Sequence, residues 1–129
     1  MAHALYALGR IALAAIFLWS GYGKLVSPGG LSMMLAGKGL PYPLYLTYAA
    51  GVAEVGLGAL VVVGWQARAA ALGLVAFTIA ATYLGHDFWT QTGAEARGNQ
   101  IHAAKNLAIV GGLLMLVAGG AGRFSLARK

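Results

Sequence analysis

Long apolar stretches alternate with short polar segments along the whole chain. Four of the apolar stretches are long enough to cross a bilayer as a helix, which takes about 20 residues. None of them has polar residues at every third or fourth position, as an amphipathic helix of a soluble protein would. We therefore predict four transmembrane helices, over residues 5–25, 43–64, 67–85 and 101–119.

The segments between the predicted spans differ in character. The first contains Ser27 followed by Pro28, a helix-start signal, and then Gly37, a helix-stop signal. Its Leu and Met residues predict a short amphipathic helix lying at the membrane interface. The second and third spans are joined by a tight turn, and the third and fourth spans by a polar loop over residues 86–100. The whole pattern predicts an all-α fold, with four antiparallel transmembrane helices forming one bundle and one domain over residues 1–129.

The composition is typical of a membrane protein and argues against a soluble domain and against a nucleic-acid-binding protein. Of the 129 residues, 60% are hydrophobic and 9% are charged, whereas soluble domains have about 25% charged residues. The net charge is +6, but the basic residues do not cluster with aromatic residues in a polar segment, which argues against nucleic-acid binding. The chain has no cysteine. A redox role would therefore depend on a bound cofactor, a diffusing quinone or a partner subunit.

Four spans place both termini on the same side of the membrane. We call this the terminal side, and the opposite side the distal side. Basic residues favour the terminal side, and the positive-inside rule therefore places both termini in the cytoplasm. The terminal side carries Arg68, Arg123, Arg128 and Lys129, whereas the distal side carries Lys24, Lys38 and Arg97 together with Asp87 and Glu95.

Three charged residues lie well inside predicted spans, several residues from either end. Glu54 lies near the middle of the second span, Arg10 towards the terminal end of the first, and Lys105 towards the distal end of the fourth. A charge at the centre of a membrane helix costs at least about 2.5–3.5 kcal/mol, so such groups are turned inwards and paired. We predict Arg10 and Lys105 as partners of Glu54, and Asp87 as a second partner of Lys105.

The polar residues of the spans recur at helical spacing and so share faces. Two interpretations remain open. The first is an internal clamp, in which ion pairs fix the register of the helices without any chemistry. The second is a polar pocket that opens to the distal side, with Glu54 at its floor. The residues predicted to wall this pocket are Lys24, Thr82, His86, Asp87, Lys105 and Asn106.

His86, His102 and Trp89 lie near the distal membrane surface. The two histidines could bind a metal together with Asp87, or act as axial ligands of a haem. A metal site would need a third ligand at a defined spacing, and haem ligands would lie deeper on facing helices, so neither cofactor is favoured. Trp89 is typical of an interfacial anchor, although it could also form an aromatic wall for a planar ring.

Several motifs along the chain occur together in a known family. They are Gly9-Arg10, Gly21-Tyr22-Gly23-Lys24-Leu25, Glu54-Val55-Gly56-Leu57-Gly58, His86-Asp87-Phe88-Trp89 and Lys105-Asn106. With these motifs the chain resembles the DoxX family of bacterial four-helix membrane proteins from about Leu8 to Ala118. The resemblance implies a multi-pass protein of the bacterial cytoplasmic (inner) membrane. The family's polar positions are matched by Arg10, Lys24, Glu54, His86, Asp87, Lys105 and Asn106.

The resemblance also implies a class of function. Its members include subunits of thiosulfate:quinone oxidoreductase and a membrane anchor for detoxifying redox enzymes. The leading hypothesis is a membrane component of an oxidoreductase system that binds a quinone-like or other small amphipathic ligand. Lys105, His86 or Asn106 could stabilise negative charge on quinone oxygens, and protons could come from His86 or Glu54.

Two alternatives remain beside this hypothesis. One is an anchor or assembly protein for partner redox enzymes, with a purely structural polar core. The other, less favoured, is a small transporter, because four spans without an inverted repeat are few for alternating access. The sequence leaves open whether the protein is an enzyme, which redox enzymes are its partners, and whether it forms a homo-oligomer.

Overall fold

The computed structural model describes residues 1–127. Its helices are α1 (Ala2–Val26), α2 (Gly29–Gly37), α3 (Pro43–Val63), α4 (Ala67–Gly85) and α5 (Gly93–Gly119), with a 3-10 turn at Phe88–Thr90. Four of the helices are long and apolar enough to span a membrane, and the short α2 lies between the first two. The predicted all-α class is therefore confirmed. Arg128 and Lys129, which contributed to the charge argument, lie outside the described residues.

The boundaries of α2 and α3 follow from local backbone chemistry. Pro28 precedes the first residue of α2, and the chain leaves this helix through Gly39, whose φ of 77° suits a glycine. Pro43 is the first residue of α3, where a missing N–H costs nothing. Gly64 ends α3 in the left-handed conformation, with φ of 73°. The turn that follows is short enough to keep α3 and α4 antiparallel neighbours.

The last helix differs from the prediction, because α5 begins at Gly93 and not at 101. The segment 93–100 is polar, which is why the hydropathy pattern assigned it to a loop. It nevertheless contains good helix formers such as Ala94 and Arg97, and Glu95 lies in the first turn, where a negative charge is favourable. The 27 residues of α5 span about 40 Å, more than the hydrocarbon core of about 30 Å. The helix therefore continues beyond the membrane.

The long helices form two antiparallel pairs. Helix α1 packs most extensively on α3, and α4 on α5. Glycines allow the first pair to approach closely, since a Cβ at Gly51 would lie 3.0 Å from the carbonyl oxygen of Gly21. The two pairs meet in the half of the bundle nearest the chain termini, where Leu74, Val61, Leu113 and neighbouring residues form the buried core. The functional groups predicted from the sequence lie mostly in the other, distal half.

Candidate functional site

The distal half of the bundle encloses a cavity of about 610 Å³. All five helices contribute to its wall, and α2 lies across its distal end with Leu31, Met34 and Leu35. Most of the wall is apolar. The polar side chains that line it are Ser20, Lys24, Glu54, Thr78, His86, His102 and Asn106.

Glu54 is buried, with 3% of its surface exposed, and its partner is Lys24. The Lys24 ammonium lies 2.7 Å from Glu54 Oε2 and donates a second hydrogen bond, also of 2.7 Å, to Ser20 Oγ. Gly21 makes this pair possible, because a Cβ there would lie 2.8 Å from Glu54 Cβ. Lys24 starts one turn closer to the distal surface than Gly21, and its long side chain bends back into the bundle.

The predicted pairs of Glu54 with Arg10 and with Lys105 are not formed. Lys105 is exposed on α5, whereas the adjacent Asn106 lines the cavity. Successive residues of a helix point about 100° apart, and the rotation of α5 turns Asn106 towards the cavity and Lys105 away from it. Depth along the membrane normal made Lys105 a candidate, but depth does not determine which face of a helix is buried.

Arg10 has a different role, at the terminal end of the bundle. Its guanidinium donates to the carbonyl oxygens of Val62 (3.2 Å), Phe124 (2.6 Å) and Ala121, and the residue is 95% buried. Carbonyls at the end of a helix have no partner within the helix. Arg10 supplies the donors for the end of α3 and for the tail after α5. The Tyr6 hydroxyl also donates a hydrogen bond of 2.6 Å to the carbonyl oxygen of Gly120, at the start of the same tail.

Asp87 pairs with Lys38 and not with Lys105. The Lys38 ammonium lies 2.9 Å from Asp87 Oδ2, and Thr90 Oγ1 donates to the same oxygen at 2.9 Å. This ion pair connects the residue after α2 to the segment after α4. It lies outside the cavity and is partly exposed, and it fixes the position of α2 across the distal end.

His86 and His102 stack on each other at the distal wall, with ring centroids 4.8 Å apart and an interplanar angle of 22°. His86 Nδ1 lies 2.9 Å from Asn99 Oδ1, while the amide nitrogen of Asn99 donates to Gln91. His86 Nδ1 and the Asn99 and Gln91 amides thus form one hydrogen-bonded network at the distal wall. Sequence reasoning missed Asn99 because it assigned that segment to a loop. Within residues 1–127, no third His, Asp or Glu completes a metal-binding group here.

Thr82 acts through Asn106 and does not line the cavity itself. Asn106 Nδ2 donates to Thr82 Oγ1 at 2.9 Å, and that hydroxyl donates to the carbonyl of Thr78 at 2.7 Å. The chain of hydrogen bonds joins α4 to α5 and fixes the amide of Asn106 at the cavity wall. The sequence predicted Thr82 as part of the pocket wall, and the structure places it one hydrogen bond behind that wall.

Trp89 lies in the 3-10 turn and is 54% exposed. Its ring packs against Tyr83, with centroids 5.8 Å apart, and against Phe88, at 5.3 Å. None of these three rings lines the cavity. Of the two interpretations of Trp89, the interfacial anchor agrees with this position, and a wall for a ligand in the cavity does not.

Comparison with known proteins gives the family. The DoxX family model matches residues 5–87, which extend from α1 to the segment after α4. The chain belongs to the DoxX family. It is similar to inner membrane protein YphA of Escherichia coli (strain K12), with 33% identity over 95% of this chain and 87% of the relative. It is also similar to inner membrane protein YqjF of the same strain, with 30% identity over 94% of this chain and 88% of that protein.

The resemblance derived from the sequence motifs is thereby confirmed. No solved structure matches the chain significantly. The match to YphA covers nearly the whole chain, whereas the DoxX model ends at Asp87, before α5. With its four membrane-length helices, the chain is an integral membrane protein of the DoxX family.

Proposed function

We propose that the protein is a component of an oxidoreductase system in the bacterial inner membrane and binds a quinone-like ligand in the distal cavity. The observation that carries this proposal is the convergence of Lys24, Glu54, Asn106 and His86 on one largely apolar cavity. Its volume of about 610 Å³ is within the range of small-molecule sites, about 300–1,000 Å³. An apolar wall with a few fixed polar groups suits a planar ring that carries carbonyl oxygens.

The polar groups provide what a quinone needs on reduction. A quinone takes up two electrons and two protons to become the quinol, and in this proposal the electrons come from a partner redox enzyme. Lys24 and Asn106 are donors that can stabilise negative charge on the ring oxygens as it develops. Glu54 and His86 are the groups that exchange protons with the ring. Lys24 thus takes the role that the sequence suggested for Lys105.

The location in the inner membrane rests on the family and on the names of the two relatives. The bias of basic residues supports cytoplasmic termini, because Arg68 and Arg123 both lie on the terminal side. In this orientation the cavity lies in the outer half of the membrane. Reporter fusions to each terminus test it, and periplasmic activity of a C-terminal alkaline phosphatase fusion would contradict it.

Ligand binding is tested on the purified protein in mild detergent. We expect a quinone in the lipid extract, and an increase in Tm when a short-chain ubiquinone analogue is added. Lys24→Met should abolish this increase, because it removes the donor at the floor of the cavity. The matched control is Lys105→Met, which removes an exposed lysine of the same chain and should leave the increase intact. Absence of quinone from the extract, together with no Tm shift in the wild type, would rule out the proposal.

A second candidate function is an anchor or assembly protein for redox enzymes. The observation that favours it is that Lys24 is already satisfied by Glu54 and Ser20, as in a structural ion pair. It predicts that the Lys24→Met, Glu54→Gln double variant still captures partner redox enzymes on co-purification. Loss of capture with an intact fold would contradict it.

A further inference from the structure

The cavity is a slot between the two helix pairs. The pairs contact each other in the terminal half, where a Cβ at Gly73 would lie 3.1 Å from Leu57 Cδ1 and one at Gly112 would lie 3.3 Å from Leu13 Cδ1. Towards the distal side, residues from both pairs line the cavity that lies between them. The slot therefore has two long edges, one between α1 and α5 and one between α3 and α4.

Both edges of the slot are open to the outside of the bundle. Ile16 on α1 lines the cavity and is 39% exposed. Ala80 on α4 lines it too and is exposed, as is Leu46 on α3. A residue that lines a cavity and is also exposed marks the rim of an opening. These three residues lie within membrane-spanning helices and are apolar, so the openings face hydrocarbon.

The distal end of the slot is covered on one side by α2. Met34 of α2 reaches towards α4, where a Cβ at Gly85 would lie 3.9 Å from its terminal methyl. The Lys38–Asp87 ion pair of 2.9 Å holds the end of α2 in this place. The apolar side chains of α2 thus lie between the Lys24–Glu54 pair and the distal aqueous phase, whereas His102, on the α5 side of the distal wall, lines the cavity and is exposed.

We propose that the ligand of the cavity is a membrane-dissolved molecule with a hydrocarbon tail, which reaches Lys24 and Glu54 sideways from the lipid. Its polar ring lies in the slot, and its tail passes out between the helix pairs at Ile16 or at Ala80. This inference rests on the proposed function for the ring chemistry, but the lipid-side opening is a separate claim. It excludes a small water-soluble ligand delivered through the distal end.

The absence of cysteine from the chain allows the opening to be tested without any ligand. In Ser20→Cys, the new thiol lies beside Lys24, whose ammonium is 2.7 Å from the native hydroxyl and promotes the reactive thiolate. We expect a pyrene maleimide that partitions into lipid to label it at least tenfold faster than a sulfonated maleimide present on both sides of proteoliposomes. Glu95→Cys, on the extramembrane part of α5, should show the opposite preference. Equal rates for the two reagents at Ser20→Cys would overturn the proposal.

Variants at the rim identify the route. Ser20→Cys is combined with Ile16→Trp at one edge of the slot or with Ala80→Trp at the other. At least one of these two rim variants should slow the labelling of the thiol by pyrene maleimide at least fivefold. The controls are Ile11→Trp and Ala76→Trp, which place the same ring on the same helices at exposed positions that do not line the cavity. If neither rim variant slows labelling more than its control does, lateral access is wrong.

Tail length provides a second measurement on the unmodified protein in nanodiscs. A benzoquinone with a decyl tail and one with a tail of ten isoprenoid units should bind within about threefold of each other, with affinity expressed per mole fraction in lipid. A closed cavity of this size would exclude the longer tail, and its exclusion would overturn the inference. If no quinone binds at all, the proposed function fails, while preferential pyrene labelling would still support lateral access.

Discussion

The two halves of the bundle use a buried cation in opposite ways. At the terminal end, Arg10 binds three backbone carbonyls and closes the protein over an apolar core. At the distal end, Lys24 on the same helix binds one carboxylate at the wall of a cavity. Arginine presents five donors in a fixed plane, which suits several carbonyls, whereas lysine is a point charge on a flexible stem. An ionisable residue within a membrane segment can thus either close the end of the bundle or lie beside a cavity, according to its partners.

Loss of Arg10 should have the largest effect on stability. Arg10→Met leaves the carbonyls of Val62, Ala121 and Phe124 without their donor, and a polar group that is left unsatisfied and buried costs about 1–3 kcal/mol. Because Phe124 is 60% exposed and its carbonyl can turn to water, we expect a loss of about 2–3 kcal/mol in the free energy of unfolding, measured by denaturant titration in detergent. The tail after α5 should become sensitive to protease. An unchanged unfolding curve would show that the arginine is not needed for the terminal half.

Glu54→Gln should destabilise the protein less but remove ligand binding. Lys24 loses its charged partner, yet its side chain is 19% exposed and can return towards water, so we expect a cost of about 1–2 kcal/mol. Ligand affinity should fall at least tenfold. Adding Lys24→Met should restore part of the stability and none of the binding. If affinity instead returns with the double change, the ion pair is only structural.

Breaking the ion pair over the cavity should have a small effect on stability and a visible one on access. Lys38 and Asp87 are partly exposed, and pairs of this kind contribute about 0–1 kcal/mol. In Lys38→Ala we expect Tm to change by a few degrees at most. Labelling of Ser20→Cys by the sulfonated maleimide should rise at least threefold, because α2 is released. A rate equal to that of the parent variant would mean that the ion pair does not hold α2 in place.

The smallest effect is expected at Lys105, which distinguishes the structure from the sequence-based interpretation. Lys105 is exposed, so Lys105→Met should change the free energy of unfolding by less than about 0.5 kcal/mol. Ligand affinity should stay within twofold of the wild type. A tenfold loss would favour the original assignment of Lys105 to the pocket.

Hydropathy was sufficient to predict the helices but not every boundary. The spans of α1, α3 and α4 follow from apolar length alone, because the bilayer imposes it. The first two turns of α5 do not, since Glu95, Arg97 and Asn99 are polar and the membrane places no demand on them. Their helical state depends on local propensity and on contacts with the 3-10 turn, neither of which affects hydropathy.

The sequence predicted which polar residues face the interior better than it predicted their partners. Glu54 was predicted to face inwards because a charge in hydrocarbon requires it, and it is buried. The choice between Lys24 and Lys105 depended on the rotation of α5 and on the approach of α1 to α3. The first cannot be obtained from depth, and the second is set by Gly21 and Gly51. Likewise, the carbonyls that bind Arg10 belong to a tail whose fold no sequence pattern indicated.

Gly21 carries no charge and exchanges no proton, yet it sets the distance between Lys24 and Glu54. Among residues 1–127, these two form the only ion pair at the cavity. Even one methyl group at Gly21 would meet the backbone of Gly51 and the stem of Glu54, both 2.8 Å away, and would wedge the two helices apart. A homologue that kept every ionisable residue of the cavity but replaced this glycine would have the same reactive groups at the wrong separation. For this fold, the spacing Gly21-Tyr22-Gly23-Lys24 is therefore as informative about the geometry of the cavity as the acid it faces.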